Sequence, residues 1–140
     1  MLISTRGRYA LRVLIDIAEN QSDGFLPLKE VAERQGLSEK YLESIIKVLV
    51  QAGILSGVRG KGGGYRLHKA PGEISVRDVL QLTEESLAPV VCLRDGAEAC
   101  TREAECRTIP LWRGLEQVIS DYLSRYTIAD LMKAQSEVNV

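Results

Sequence analysis

Between residues 27 and 67 the chain carries two helix signals, a glycine turn and a glycine-rich hairpin in immediate succession, and few arrangements satisfy all of them at once. Pro27 suits the first turn of a helix, where its missing N–H costs nothing, and Leu28, Val31 and Ala32 give that helix an inner face until Gly36 stops it. Ser38 then caps a further helix, with Glu39 in the first turn where the positive helix end favours an acidic side chain. Over Glu39 to Gln51, residues Leu42, Ile45, Ile46, Leu49 and Val50 keep the spacing of a core-facing stripe, and Lys40, Glu43, Ser44, Lys47 and Gln51 fall opposite. Helix, glycine turn and capped helix make a helix-turn-helix pattern. Gly53 ends the last helix, and Ile54 to Val58 and Tyr65 to Leu67 read as two short strands around Arg59-Gly60-Lys61-Gly62-Gly63-Gly64. The expectation is a β wing whose tip enters a narrow groove, where Arg59 and Lys61 meet phosphates or the negative potential of a minor groove. A phosphate-binding P-loop is the other use of such a run, but the G-x-x-x-x-G-K-[ST] order and the following helix are both missing.

The flanks read as helices that serve this head. From about Ser4 to Asn20 apolar residues occupy more of the helix circumference than one stripe needs, which predicts a helix buried on several sides. Ser75 opens a fourth helix with a capping-box pair to Asp78, and Ile74 with Val79 is spaced as a hydrophobic staple. From Ser86 to Ile109 periodicity disappears, and Cys92, Cys100 and Cys106 all occur there. Beyond Pro110, residues Leu111, Leu115, Val118, Ile119, Tyr122 and Tyr126 form one long apolar stripe. Pairing with its copy in a second subunit covers such a stripe most simply, and folding back on the first helix of the same chain is the alternative.

The predicted fold class is therefore mainly α with a small two-stranded β wing, a winged helix-turn-helix head plus a long C-terminal dimerisation helix. Residues 1–85 form the DNA-binding domain, 86–109 a cysteine-bearing loop, and 110–140 the dimerisation helix and tail. Charge follows the same division. Residues 1–70 carry 11 Lys and Arg against 7 Asp and Glu, a net of +4, and residues 71–140 carry 7 against 12, a net of −5, within an overall −1. The basic half is where a polyanion binds. Neither a signal peptide nor a membrane span is written in the sequence, so the expected location is the cytoplasm, where a structural disulfide is disfavoured. An enzyme is not indicated: no nucleophile is paired with a base, no carboxylates stand at catalytic spacing, and the single histidine, His68, has no triad partners. A protein-interaction module without DNA is the rival, and a steep loss of binding with salt separates the two.

Four segments together resemble the iron-sulfur cluster regulator family of winged helix-turn-helix transcription factors. They are Arg6-Gly7-Arg8-Tyr9-Ala10, the run Leu37-Ser38 to Tyr41-Leu42-Glu43, the wing from Val58-Arg59-Gly60 to Gly62-Gly63-Gly64-Tyr65, and Leu111-Trp112 ahead of a long helix. The similarity runs from Met1 to about Met132. It implies a homodimeric repressor on a partly palindromic operator in double-stranded DNA, with the long helices crossing at the dimer interface. Ser38, Lys40, Tyr41, Glu43 and Ser44 would then enter the major groove, Glu43 accepting from cytosine N4, while Lys47 meets phosphate and Arg59, Gly60 and Lys61 serve the wing. Tyr41 has a second reading, because an aromatic near a helix start often packs on the neighbouring helix. Control by a regulatory protein partner is also implied by one branch of the family.

The resemblance further implies that Cys92, Cys100 and Cys106 hold an iron-sulfur cluster, [2Fe-2S] or [4Fe-4S], for which thiolates are the preferred ligands. The histidine that follows the third cysteine by three places in the family is Ile109 here, and the aspartate used by nitric-oxide-sensing relatives is Arg8. Glu98, Glu103 and Glu105 are left as oxygen donors, beside a four-iron cluster with an exogenous fourth ligand. Direct thiol oxidation, helped by Arg94, Arg102 and Arg107, is the second explanation of the cysteines. Zinc is the third, lacking a fourth Cys or His to close its usual set.

Overall fold

A computed structural model describes residues 2–98 and 102–132. Helix α1 spans Thr5–Asn20, α2 Leu28–Gln35 and α3 Glu39–Gln51. Strands β1, Leu55–Val58, and β2, Gly64–Leu67, follow, then α4 at Val76–Thr83 and α5 at Ile109–Arg125. Short 3-10 turns occupy Pro71–Glu73, Val91–Leu93 and Glu103–Glu105.

The helix starts are set by serines. Ser4, Ser38 and Ser75 each sit in extended backbone one residue before a helix and accept from the amide three places on, at Gly7, Tyr41 and Asp78. Each satisfies one of the amides that a helix start leaves without a partner, worth about 1 kcal/mol. Pro27 stands at the N-cap of α2, one place before the first helical turn where the sequence puts it. Gly36 ends α2 at φ 66, the left-handed conformation that lets the chain turn directly into the cap of α3.

Helix α1 packs against α2, α3, α4 and β2, which is why its apolar residues run around so much of its surface. Ala10, Val13, Leu14 and Ile17 are fully buried and meet Leu42, Ile45, Ile46 and Leu49 of α3, Val31 of α2 and Val79 of α4 in one core. Each Val, Leu or Ile among them contributes roughly 1.5–3 kcal/mol by leaving water. Val50, the last member of the predicted stripe on α3, is 37% exposed at the edge of the core.

The two strands pair antiparallel in the register Leu55 with Leu67, Ser56 with Arg66, Gly57 with Tyr65 and Val58 with Gly64. Tyr65 also exchanges two backbone hydrogen bonds of 2.8 Å with Leu26, so the wing is fastened to the segment entering α2. Gly64 makes that approach possible: at φ 146 it adopts backbone denied to other residues, and a Cβ there would stand 2.2 Å from the Leu26 carbonyl oxygen. Gln21, at the end of α1, accepts from the Leu67 amide and holds β2 from the other side.

After α5 the chain returns to the head. The Val76 amide donates to the Tyr126 carbonyl and the Ile128 amide to the Ile74 carbonyl, at 2.9 and 3.0 Å, and Ile128 is wholly buried in the core that α1 and α3 build. Residues 128–132 form a final helical turn with Leu131 and Met132 packed on that core. No helix among the described residues is long and apolar enough to cross a membrane.

Candidate nucleic-acid interface and cysteine segment

The inner face of α3 fixes what the outer face can present. With Leu42, Ile45, Ile46 and Leu49 sealed in the core, the helical period turns Lys40, Glu43 and Lys47 outward, and all three are exposed. Ser38 is exposed at the helix start with its oxygen committed to the Tyr41 amide. Ser44 is half-buried and its hydroxyl donates to the Tyr41 carbonyl at 2.6 Å.

Tyr41 is half-buried. Its ring meets Tyr9 of α1 edge to face, centroids 6.1 Å apart at 88°, and the Arg12 guanidinium lies 4.7 Å over the far ring. Arg12 is itself held by Gln35 at the end of α2, through Nε to the side-chain oxygen at 3.0 Å and Nη2 to the carbonyl at 3.2 Å. The first turn of α3 is thus braced from behind by a stack that joins three helices. Arg6 adds a second brace, its Nη2 donating to the Ser44 carbonyl at 2.8 Å. Neither Tyr9, Arg12 nor Arg6 stands out in the sequence as a support of α3, because these are contacts between distant residues and leave no periodic mark.

At the wing, Arg59, Gly60 and Lys61 are exposed at the tip. Gly62, at φ 79, and the 2.9 Å bond from the Gly63 amide to the Gly60 carbonyl close the loop tightly. Lys40, Lys47, Arg59 and Lys61 make no ion pair with another described residue. The structure therefore gathers exposed Lys40, Glu43 and Lys47 on one face of α3 and exposed Arg59 and Lys61 on one hairpin, both rooted in the same core. His68, at the foot of the wing, bonds Ser56 through Nδ1 at 3.0 Å and takes no part in the cysteine segment.

Cys92 is exposed in the Val91–Leu93 turn, and Cys106 is half-buried just ahead of α5. Cys100 lies outside the described residues. The Thr108 hydroxyl, 3.5 Å from the Cys106 sulfur, with the backbone amides of Thr108 and Ile109, holds that thiol below its ordinary range. Thiolate character is what a metal or an oxidant requires. Ile109 is buried as the first residue of α5, and Arg8 is exposed with its guanidinium on the Thr5 hydroxyl at 3.1 Å, so neither position offers a ligand. Glu98 and Glu105 are exposed; the side chain of Glu103 is outside the described set. Among the described residues no three His, Cys, Asp or Glu side chains gather to hold a metal ion.

Along α5 the apolar stripe faces outward except at Ile119, which is half-buried on the side of α4. Leu111 is 61% exposed, Val118 63% and Tyr122 54%, whereas the opposite side rests on α4.

Similar proteins share this architecture. The HTH-type transcriptional regulator IscR of Erwinia tasmaniensis is 39% identical over 135 residues, 96% of this chain and 81% of that protein. The solved structure of IscR from T. potens superposes with a TM-score of 0.77 at 34% identity, covering 100% of this chain and 92% of the other. CymR (YrzC), the global cysteine regulator of B. subtilis, superposes with a TM-score of 0.79 at 31% identity over 96% of this chain and 98% of its own. The Rrf2 family model, described as an iron-dependent transcriptional regulator, matches residues 3–134. With that match across nearly its whole length and a winged helix-turn-helix head of the same build as these regulators, the chain belongs to the Rrf2 family of DNA-binding transcriptional regulators.

Proposed function

We propose that this regulator works as a homodimeric repressor whose grip on its operator is set by the chemistry of its three cysteines. The observation that carries the DNA contact is the exposed set Lys40, Glu43 and Lys47 on α3 beside the exposed wing tip Arg59 and Lys61, with no ion pair to another described residue. Ser38, Lys40 and Glu43 face the base edges of a major groove, where Glu43 accepts from a cytosine amino group, and half-buried Tyr41 and Ser44 belong to the same first turns of the helix. Lys47 binds phosphate, and Arg59, Gly60 and Lys61 follow the backbone into the adjacent minor groove. Two copies are needed to read two half-sites, and the exposed stripe Leu111, Leu115, Val118, Tyr122 and Tyr126 on and just beyond α5 supplies the surface that joins them.

Cys92, Cys100 and Cys106 are the residues that hold an iron-sulfur cluster, the fourth ligand coming from a carboxylate of the same segment or from outside the protein. The support is the donor set: three thiols between α4 and α5, one of them shifted toward its thiolate by Thr108. A bound cluster would supply a redox-sensitive crosslink to a segment whose described residues carry two short 3-10 turns, Val91–Leu93 and Glu103–Glu105. Direct oxidation of the thiols is the second reading, favoured by the exposure of Cys92.

The test begins with selection of duplex DNA from a random pool on the full chain purified without oxygen. Anisotropy titrations against salt then follow, on the protein as purified, after cluster loss and as Cys92→Ala. A steep inverse salt dependence with affinity that changes with the visible charge-transfer bands supports the proposal. A colourless protein after reconstitution, binding identically in every form, removes the cysteine switch. A salt-insensitive association removes the DNA contact as well.

A further inference from the structure

The end of α4 and the recognition surface are joined by side-chain bonds that bypass the helical core. Glu84, the residue that closes α4 and begins the approach to the cysteine segment, accepts from both the amide and the hydroxyl of Ser4. Ser4 is the N-cap of α1, its oxygen accepting from the Gly7 amide at 3.0 Å. Two residues on, in the first turn of the same helix, Arg6 crosses to α3 and donates to the Ser44 carbonyl. Gly7 lets the two helices approach this closely: a Cβ there would stand 3.0 Å from Glu84 Oε2, from Leu80 and from Thr83. At the other end, Glu84 lines one cleft together with Leu93 and Arg94 and a second together with Ser4 and Val91. The Val91–Leu93 turn, which carries Cys92, therefore lines the same clefts as the residue whose carboxylate fixes the start of α1.

We infer that Glu84, Ser4 and Arg6 are positioning residues for operator recognition, forming a polar path from the foot of the cysteine segment to the backbone of α3 at Ser44. None of the three reads DNA itself. Glu84 locks the N-cap, the N-cap fixes the first turn of α1, and that turn presents Arg6 to a carbonyl on the helix that carries Glu43 and Lys47. A carbonyl in mid-helix already accepts from the amide four residues on, so the guanidinium adds a directional bond that fixes the rotation and height of α3 over α1. The inference rests on α3 being the helix that enters the groove.

A double-mutant cycle tests it on the full chain, using the selected duplex and a scrambled duplex of the same length. Arg6→Met and Glu84→Ala are each expected to weaken the selected duplex about tenfold. Affinity for the scrambled duplex and the slope of log affinity against log salt should stay at wild-type values. The double variant should bind no more weakly than the worse single variant, because breaking either link already frees α3. Glu84→Gln, which keeps an oxygen for the Ser4 amide, should recover part of the loss, and Ser4→Ala provides a milder break if Glu84→Ala unfolds.

A salt slope lowered by about one in Arg6→Met, with both duplexes weakened equally, would mean that Arg6 binds phosphate directly and would overturn the path. Additive losses in the double variant overturn it too, as do unchanged affinities. Glu43→Ala and Lys47→Ala, run in parallel, separate the two levels. If they weaken binding while the path variants do not, only the path is wrong. If they also have no effect, α3 is not the reading helix and both ideas fall.

Discussion

Arg34 grips Asp16 with two nitrogens, Nη2 to Oδ1 at 2.8 Å and Nε to Oδ2 at 3.0 Å, and the two ends of this bond live in different surroundings: the Asp16 side chain is 3% exposed, that of Arg34 37%. Gln35 supplies a further donor to Asp16 Oδ2 at 2.8 Å, so the carboxylate of α1 is satisfied entirely from the end of α2. Asp16 in turn raises the pKa of Arg34, chiefly through their hydrogen bond, so the guanidinium is charged at every working pH.

The asymmetry predicts unequal losses. Arg34→Ala strands a buried carboxylate and should cost about 2–3 kcal/mol. Asp16→Ala leaves an arginine that can turn to water and should cost about 1–2 kcal/mol despite the lost packing. Urea unfolding of both variants measures the difference, and a larger loss in Asp16→Ala would contradict it.

Two glycines should respond unequally to alanine. Gly64→Ala forces a Cβ against the Leu26 carbonyl in a left-handed conformation, and a loss of about 3 kcal/mol is expected, with the Leu26 to Tyr65 pairing broken. Gly24→Ala meets nothing within 4 Å and should remain within about 0.5 kcal/mol of wild type. Thermal melts, with amide exchange at Tyr65 as the local readout, distinguish them.

Charge placed on the outward stripe of α5 should abolish the proposed subunit pairing. Leu111→Asp with Val118→Asp is expected to sediment as a monomer of the 15.5 kDa chain. The head should keep its helical circular dichroism, since both positions are more than half exposed. A variant that still sediments as a dimer places the interface elsewhere.

Cys106 owes its low pKa first to the Thr108 hydroxyl. Thr108→Val should move the pH midpoint of Cys106 alkylation upward, toward that of an ordinary thiol. The sign for stability follows: a thiol whose folded pKa is depressed contributes stability above its unfolded pKa, and this is lost as pH falls through the folded value. Alkylation rates of the Cys92→Ser, Cys100→Ser background across pH measure the midpoint, and an unchanged midpoint would assign the shift to the backbone amides alone.

Much of this architecture was legible because it is written locally. The caps at Ser38 and Ser75, the turn at Gly36 and the apolar period of α3 each involve residues within a few places of one another, and each recurs in the structure within a residue or so. The same locality explains what was missed. Arg6 and Ser44 lie 38 residues apart, Ser4 and Glu84 80 apart, and a single polar side chain meeting a distant group leaves no repeat to detect. Asp16 did leave a signal, an acidic residue inside an otherwise apolar helix face, which calls for a buried partner. The return of the chain at Thr127 and Ile128 had none, being one bridge and one buried side chain after a long exposed helix.

That return changes what α5 can do mechanically. Ile128 fastens the chain just past its end into the head core and α4 lies along its inner side, so the helix is a beam bedded on the head and not a lever hinged at one end. A load applied along its outward side is delivered to the head through α4 and through the buried return at Ile128.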